Sequence, residues 1–269
     1  MIHTIINNKP TRLFLILAGF FITNALIAEF VGVKIFSLEA TLGWKPAEIN
    51  LFGNSYSFNL TCGVLLWPVV FVMTDIINEY YGRKGVRFLS WLTIGLIAFG
   101  FLMVFGAIQT APNSWWITSK KQIGVDDMNI AYNAVFGQGL GIIIASMTAF
   151  LVAQLVDVVV FHKIKRMTGE RKIWLRATGS TIVSQLIDSF IVLMIAFYFY
   201  PKWVPGQGEP WPFDQIIAIC IVNYIYKFIM ALVLTPVIYI VHHRIEKYLG
   251  HEQATEMKKA AMGDANPAS

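Results

Sequence analysis

The chain has few charged residues and almost no cysteine. Only 14% of its 269 residues are Asp, Glu, Lys or Arg, whereas about 25% is usual for a soluble domain. Apolar residues make up 56%, and the mean hydropathy is +0.60, so a soluble fold would lack the polar surface to cover itself. The two cysteines, Cys62 and Cys220, are too few for a disulfide framework or a cysteine metal cluster. The composition indicates an integral membrane protein.

Motifs for catalysis and nucleotide binding are also missing. No HExxH, CxxC, Walker or GxGxxG pattern occurs, and no Ser-His-Asp order. The net charge of +5 comes from basic residues scattered between apolar runs rather than from one basic patch, so we expect no nucleic acid partner. We expect no enzymatic activity, no cofactor and no metal ion.

Long apolar runs are abundant. A transmembrane helix needs about 20 predominantly apolar residues. Six stretches qualify: Leu13–Val33, Asn59–Ile77, Val86–Ile108, Leu140–Phe161, Ala177–Tyr200 and Gln215–Val241. The sequence predicts an all-α integral membrane bundle of six transmembrane helices over residues 13–241. A short segment, 1–12, precedes it, and a tail, 242–269, follows that we expect to be largely disordered after residue 250.

Lysine and arginine are distributed unevenly between the two sides of such a bundle. With six spans, both termini lie on the same side as the loops after spans two and four. Lys227 lies inside a span, and five of the other basic residues fall on the opposite side: Lys34, Lys45, Lys120, Lys121 and Lys202. Because cytoplasmic loops are enriched in Lys and Arg, both termini are predicted to be cytoplasmic.

Five ionisable residues interrupt the apolar runs: Glu29, Asp75, Asp157, Asp188 and Lys227. Each costs roughly 2.5–3.5 kcal/mol at the centre of a membrane helix on insertion scales. We therefore expect them to face the bundle interior, a partner or a watery cavity. Glu29 has a simpler interpretation, a position at the outer interface.

A Gln-x-x-Asp motif occurs in both the fourth and the fifth span. Gln154 and Asp157 form the first pair and Gln185 and Asp188 the second, at a fixed offset in the chain. A spacing of i, i+3 places both side chains of a pair on one helix face, and the two helices run in opposite directions, as in an inverted repeat. The pairs line a binding site or act as interhelical hydrogen bonds that hold the bundle together.

The second span ends with polar residues on one helix face. Asp75, Asn78 and Glu79 are spaced i, i+3 and i+4, and Gly82 is placed to close the helix. Glu79 also has the interpretation of a solvated helix end. Pro68 upstream permits a kink that would open backbone carbonyls toward a cavity.

The sixth span carries a lysine far from either end. Lys227 lies about 22 Å along the helix from His242, which is too deep for easy snorkelling. A salt bridge to Asp188 would suit both charges, and the sequence leaves open whether that pair is structural or functional. Asn223 and Tyr226 precede Lys227 and are further candidates for substrate contact.

Several of these motifs together resemble the queuosine precursor transporter family, also called the vitamin uptake transporter family. The strongest element is the run TDIINEYYGR at residues 74–83. The two Gln-x-x-Asp motifs, the run WLRATGS at residues 174–180 and Lys227 agree with it. The resemblance covers about residues 15–248.

The resemblance implies a bacterial inner-membrane protein that imports the 7-deazaguanine bases preQ0 and preQ1 for tRNA modification salvage. A guanine-like edge presents N1–H and an exocyclic NH₂, which one carboxylate accepts together. Gln185 would donate to O6, and Tyr226 or another aromatic residue would stack on the ring. The substrate-binding candidates are Asp75, Asn78, Gln154, Asp157, Gln185, Asp188, Asn223, Tyr226 and Lys227. The expected partners are this small molecule, the lipid bilayer and a second copy of the chain in a homo-oligomer.

Three alternatives remain open at this point. The first alternative is a substrate-capture subunit that takes up another small vitamin and docks to a separate ATPase module. The second alternative, of a different class, is an intramembrane enzyme that uses the aspartates on two helices as catalytic carboxylates. The third, a structural membrane factor, would bind no small molecule.

Overall fold

The computed structural model describes residues 8–137, 139–168, 173–206 and 208–263, and it is almost entirely helical. The elements in chain order are α1 (Lys9–Val31), β1 (Ile35–Ser37), α2 (Leu38–Thr41), β2 (Ile49–Leu51), β3 (Asn54–Tyr56), β4 (Asn59–Thr61), α3 (Trp67–Ile108), α4 (Ser114–Ile117), α5 (Met128–Phe136), α6 (Leu140–Thr168), α7 (Ile173–Met194), α8 (Tyr200–Trp203), α9 (Phe213–Leu249) and α10 (His251–Gly263).

Five of the helices in the described part of the chain are long and apolar enough to cross a membrane: α1, α3, α6, α7 and α9. The predicted all-α class is confirmed. The count differs from the six predicted stretches because the second and third fall in one element, α3. As a straight helix its 42 residues would extend about 63 Å, twice the thickness of a hydrocarbon core of about 30 Å.

Helix α3 is interrupted at Gly82. The backbone of this residue has φ 65° and ψ −167°, a combination that is essentially restricted to glycine. The helix therefore consists of a first arm, residues 67–81, and a second arm, residues 83–108. The prediction that Gly82 closes the helix that carries Asp75, Asn78 and Glu79 is confirmed.

The two arms fold back on each other at Gly82. Thr74 of the first arm hydrogen-bonds Gln154, and Ser90 of the second arm lines a cavity with the same glutamine. These two residues lie eight positions before and after Gly82, so the arms run antiparallel and both approach Gln154 of α6. A Cβ atom on Gly85 would lie 3.6 Å from Cγ2 of Ile77, across the turn. The second arm then runs parallel to α1, with the ring centroids of Phe30 and Phe101 5.3 Å apart.

The start of the second predicted span is different in the structure. Residues 59–61 form strand β4, residues 62–65 a 3₁₀ turn, and the α-helix begins at Trp67. Pro68 lies in the first helical turn, where its missing N–H costs nothing, rather than at a kink. The predicted boundary at Asn59 was too early because an apolar run does not distinguish a strand from a helix.

Between α1 and α3 the chain forms the β segment, residues 35–65. Strand β1 pairs antiparallel with β4, and β2 with β3. Within it Glu39 is buried, and its carboxylate accepts hydrogen bonds from the backbone N–H groups of Phe58, at 2.8 Å, and Ala47, at 3.1 Å. Burial alone would raise the pKa of Glu39, but these hydrogen bonds outweigh it and lower the pKa below 4.5. Glu39 thus holds the β segment together.

The tail beyond Gly250, predicted to be largely disordered, forms helix α10 over His251–Gly263. It packs beneath the Gly82 turn, where a Cβ on Gly82 would lie 3.1 Å from the carbonyl oxygen of Ala261. The ammonium of Lys258 lies 5.5 Å from the ring centroid of Tyr80 and pairs with Glu246. The polar composition of the tail concealed a buried stripe at Ala254, Lys258 and Ala261, spaced as a helix face requires.

Candidate functional site

A buried ion network lies nearest the Gly82 turn. Glu79 on the first arm of α3 has one carboxylate oxygen 2.6 Å from the Arg176 guanidinium of α7 and the other 3.0 Å from the Lys165 ammonium of α6. All three side chains are 0% exposed. The interpretation of Glu79 as a solvated helix end is therefore wrong. Its two partners are Lys165 and Arg176. From the sequence, both are accounted for by the excess of basic residues expected at cytoplasmic helix ends.

One helical turn further along the first arm lies the carboxylate cluster, which consists of Asp75, Asp157, Ser180, Thr181 and Ser184. The Ser180 and Thr181 hydroxyls of α7 each donate to Asp75 at 3.3 Å. Ser184 donates to Asp157 of α6 at 3.1 Å. Both carboxylates are buried. Three hydroxyl groups on one face of α7 thus hold an aspartate from each of two other helices.

The two glutamines lie on different sides of this cluster. The side-chain amide of Gln154 exchanges hydrogen bonds with the Thr74 hydroxyl at 3.0 and 3.1 Å. Gln185 is 4% exposed, and its amide nitrogen has no hydrogen-bond partner among the described residues. Gln185 is thus a buried donor available to a ligand, whereas Gln154 connects α6 to α3.

An ion pair lies at the level farther from the Gly82 turn. The Lys227 ammonium of α9 is 2.6 Å from the Asp188 carboxylate of α7, with side-chain exposures of 8% and 18%. The predicted salt bridge is confirmed. Glu29 of α1 is also buried, accepts a hydrogen bond from Ser146 of α6 and interacts electrostatically with Asp188. It does not lie at an exposed interface.

A narrow cavity between the first arm of α3, α7 and α9 connects these levels. Its polar lining includes Asp75, Thr181, Gln185 and Lys227. The apolar lining comes from Pro68, Val72, Ala231, Leu234 and Ile238. Its volume is about 10 Å³, which is the space of a single water. In this conformation the cavity brings an acid, an amide and an ammonium group together but is too small for a heterocyclic base.

A second cavity, of about 70 Å³, lies between the second arm of α3 and α6. Gln154 and Ser90 contribute to its wall, and Arg83 and Arg87 lie at the end near the Gly82 turn. Gln154 of α6 therefore lines this second cavity and also bonds Thr74 on the first arm of α3, next to the carboxylate cluster.

Three candidate residues lie outside these contacts. Tyr226 packs in an apolar cluster with Leu60 and Val64 of the β segment, on a different side of α9 from the narrow cavity. Asn223 is half-buried and lies one turn beyond Lys227. Asn78 is fully buried on the first arm, and neither its amide oxygen nor its nitrogen has a hydrogen-bond partner in the described part of the chain.

The hydroxyl groups of the site are not evident from the sequence. Thr74, Thr181 and Ser184 each bond a candidate residue. Serine and threonine are common in membrane helices, so composition alone does not mark them. Their spacing was the available signal, because Ser180, Ser184 and Asp188 recur every four residues on one face of α7. Within the described residues no group of three or more His, Cys, Asp or Glu side chains is arranged to hold a metal ion.

Comparison with known proteins gives a consistent picture. Residues 61–241 match the family described as "Putative vitamin uptake transporter". A Bacillus subtilis protein named "Probable queuosine precursor transporter" is 30% identical over 71% of this chain and 73% of its own length. A Haemophilus influenzae protein of the same name is 26% identical over 86% of each chain. The Escherichia coli "Queuosine precursor transporter" is 23% identical over 65% of this chain and 69% of its own.

No solved structure matches this chain. The family match covers most of the sequence, including the first arm of α3, both Gln-x-x-Asp motifs and Lys227. The chain belongs to the vitamin uptake transporter family, a family of membrane transporters rather than enzymes.

Proposed function

We propose that this protein imports queuosine precursors, the 7-deazaguanine bases preQ0 and preQ1, across the bacterial inner membrane. The observation that carries the proposal is the narrow cavity, where Asp75, Gln185 and Lys227 meet inside membrane-length helices. Buried ionisable groups at this depth are expensive and therefore favour a substrate pathway. The relatives, which are named as queuosine precursor transporters, support the same class of substrate.

The chemistry of the site suits one edge of such a base. Asp188 would accept the N1–H and exocyclic NH₂ donors together, as a carboxylate does in bidentate pairs. The amide nitrogen of Gln185, which has no partner among the described residues, would donate to O6. Asp157, Asp75 and Asn78 would contact or gate the substrate on the Gly82 side, with Gln154 beside them. When the base binds, its donors replace the Lys227 ammonium as the partner of the Asp188 carboxylate.

Tyr226 and Asn223 take different places in this proposal. Because Tyr226 packs against Leu60 and Val64, it supports the β segment rather than stacking on the base. Asn223 lies on the same face of α9 as Lys227, one turn away, and would contact a substrate that approaches from the end opposite the Gly82 turn.

Transport requires this site to open. A cavity of about 10 Å³ does not admit a bicyclic base, so the first arm of α3, α7 and α9 must separate on at least one side. The structure represents a closed conformation in this proposal, and the carboxylate cluster and the ion network hold the Gly82 side shut.

We further propose six spans with both termini in the cytoplasm. The fold-back at Gly82 divides the apolar helical stretch Cys62–Ile108 into residues 62–81, which include the 3₁₀ turn and the first arm, and the second arm. These two parts supply the second and third spans. The Gly82 turn and the start of α7 then lie on the cytoplasmic side, where the lysine and arginine excess predicts them. Single cysteines at Ser119 and Glu252, in a background without Cys62 and Cys220, test this arrangement. Ser119→Cys should react with an impermeant maleimide in intact cells, whereas Glu252→Cys should react only after lysis, and the reverse result would overturn the orientation.

Complementation tests the proposed substrate directly. The chain is expressed in a bacterium that lacks its own queuosine precursor transporter and the pathway for precursor synthesis. Each base is supplied separately, and queuosine is measured in tRNA. We expect queuosine to appear with the wild type and with the control Asp126→Asn, an exposed loop substitution. A well-expressed chain that restores no queuosine from either base would refute the proposal.

A further inference from the structure

Asp75 and Asp157 form a close pair of buried carboxylates. Asp75 accepts hydrogen bonds from Ser180 and Thr181, and Asp157 accepts one from Ser184, which lies one turn further along the same face of α7, so the two carboxylates are neighbours on that face. Asp75 is 1% exposed and Asp157 is 0% exposed. Two carboxylates that share a dry site do not readily ionise together, since each charge opposes the other and neither is solvated.

The charged groups around this pair are already engaged with other acids. Lys165 of α6 and Arg176 of α7 contact Glu79, and Lys227 of α9 contacts Asp188. The buried or half-buried titratable and charged groups on the elements packed around the pair are Glu79 on α3, His162 and Lys165 on α6, Arg176 and Asp188 on α7, and Lys227 and His242 on α9, with Glu29 of α1 near Asp188. Glu79 interacts electrostatically with Asp75 and adds a third acid. The hydrogen bonds given to the two aspartates come from hydroxyl groups, which cannot neutralise a second negative charge.

We propose that Asp75 and Asp157 share one proton and that this proton drives substrate import. The inference rests on the proposed transport function and names its coupling ion. The hydroxyl groups lie 3.1 to 3.3 Å from the carboxylate oxygens, so they hold both aspartates by hydrogen bonds without supplying a positive charge.

The position of the pair links the proton to the substrate. Asp75 lines the same narrow cavity as Gln185, the buried amide whose nitrogen has no partner among the described residues. Asp75 is on α3 and Asp157 on α6, so separation of these helices exposes the pair to water on one side. When the cytoplasmic side opens and water reaches the pair, the shared proton leaves and both carboxylates are ionised. A proton from the outer water, which binds together with the next substrate, restores the shared state, so one O–H bond breaks and one forms in each cycle.

The test uses the full chain reconstituted in proteoliposomes with radiolabelled preQ1 and the membrane potential clamped at zero. With an acidic exterior and a gradient of one pH unit, coupling of one proton per substrate supports up to about a tenfold accumulation. We expect this stimulation in the wild type and in Asp126→Asn. In Asp75→Asn and Asp157→Asn, uptake with the gradient should equal uptake without it. Stimulation by a sodium gradient instead, or gradient-driven accumulation in both variants, would overturn the proposal.

A second measurement does not depend on transport. The infrared difference spectrum between the purified wild type and Asp157→Asn at pH 7 should contain the C=O stretch of a buried protonated carboxyl group, and the difference between the wild type and Asp126→Asn should not. Absence of that band refutes the shared proton even if import is observed. Failure of the wild type to bind or exchange preQ1 refutes the proposed function instead, and the infrared result then decides the protonation by itself.

Discussion

The substitution Asp188→Asn tests the ion pair that connects α7 to α9. It preserves the size of the side chain but leaves Lys227, 8% exposed, without its carboxylate partner at 2.6 Å. Removing one member of a buried ion pair costs about 3–5 kcal/mol. Because Asp188 retains 18% exposure, we expect the lower end, about 3 kcal/mol, measured as a fall in Tm in detergent.

Binding of the base should weaken for a separate reason. A charge-assisted hydrogen bond contributes about 1.5–3 kcal/mol, which corresponds to a tenfold to roughly 150-fold increase in Kd. An amide also presents a donor where the base presents donors. Kd is measured by equilibrium binding of radiolabelled preQ1 to purified protein.

The double variant Asp188→Asn with Lys227→Met separates the two effects. It leaves no unpaired charge, so the Tm should recover while base affinity stays low if Asp188 recognises the base. Recovery of both Tm and affinity would refute recognition by Asp188 and make the pair purely structural. An unchanged Tm in the single variant would refute the ion pair as a source of stability.

Three further predictions concern positions that the structure places under strain or deep burial. Gly82→Ala should lower the stability by about 1–3 kcal/mol because alanine does not readily adopt the φ and ψ values of Gly82. The control Gly95→Ala, with open space around the residue, should not lower it. Equal Tm values for the two variants would argue against the turn at Gly82. Glu79→Gln should cost about 3–5 kcal/mol by removing the acid between two buried cations, and Lys165→Met in that background should restore part of the Tm; no loss in the single variant would contradict the network. The pKa of Glu39 is lowered on folding, so its stabilisation is complete above pH 4.5 and is lost as pH falls through the folded value. Limited proteolysis of the β segment should therefore increase in acid for the wild type, while Glu39→Gln should be susceptible at all pH values; a wild type without this pH dependence would contradict the role of Glu39.

Much of the architecture could be predicted from the sequence because transmembrane helices are defined by local composition. Apolar runs of about 20 residues identify the membrane helices, and the glycine at 82 marks the end of the first arm. The salt bridge between Asp188 and Lys227 followed from depth, since two opposite charges inserted at one level in a membrane need each other. The family could likewise be inferred from the run at residues 74–83 and the two Gln-x-x-Asp motifs.

Other features depended on contacts between distant parts of the chain. Glu79, Lys165 and Arg176 are separated by many residues, and each has an ordinary explanation at a helix end. Helix α10 has a polar composition, and its order depends on packing against the Gly82 turn.

The sequence by itself therefore determined that the protein is a helical membrane protein of a transporter family and that Asp75, Asp157, Asp188 and Lys227 lie inside it. Hydrophobicity and helical spacing are local properties, so they can be read along one segment at a time. Only the tertiary structure decided which buried acid meets a cation and which meets hydroxyl groups. Glu79 and Asp75 lie four residues apart on one helix face, yet the first contacts Arg176 and the second contacts Ser180 and Thr181. The difference arises because α7 presents a guanidinium at one level and hydroxyls one turn further along, and that register is set by the packing of whole helices.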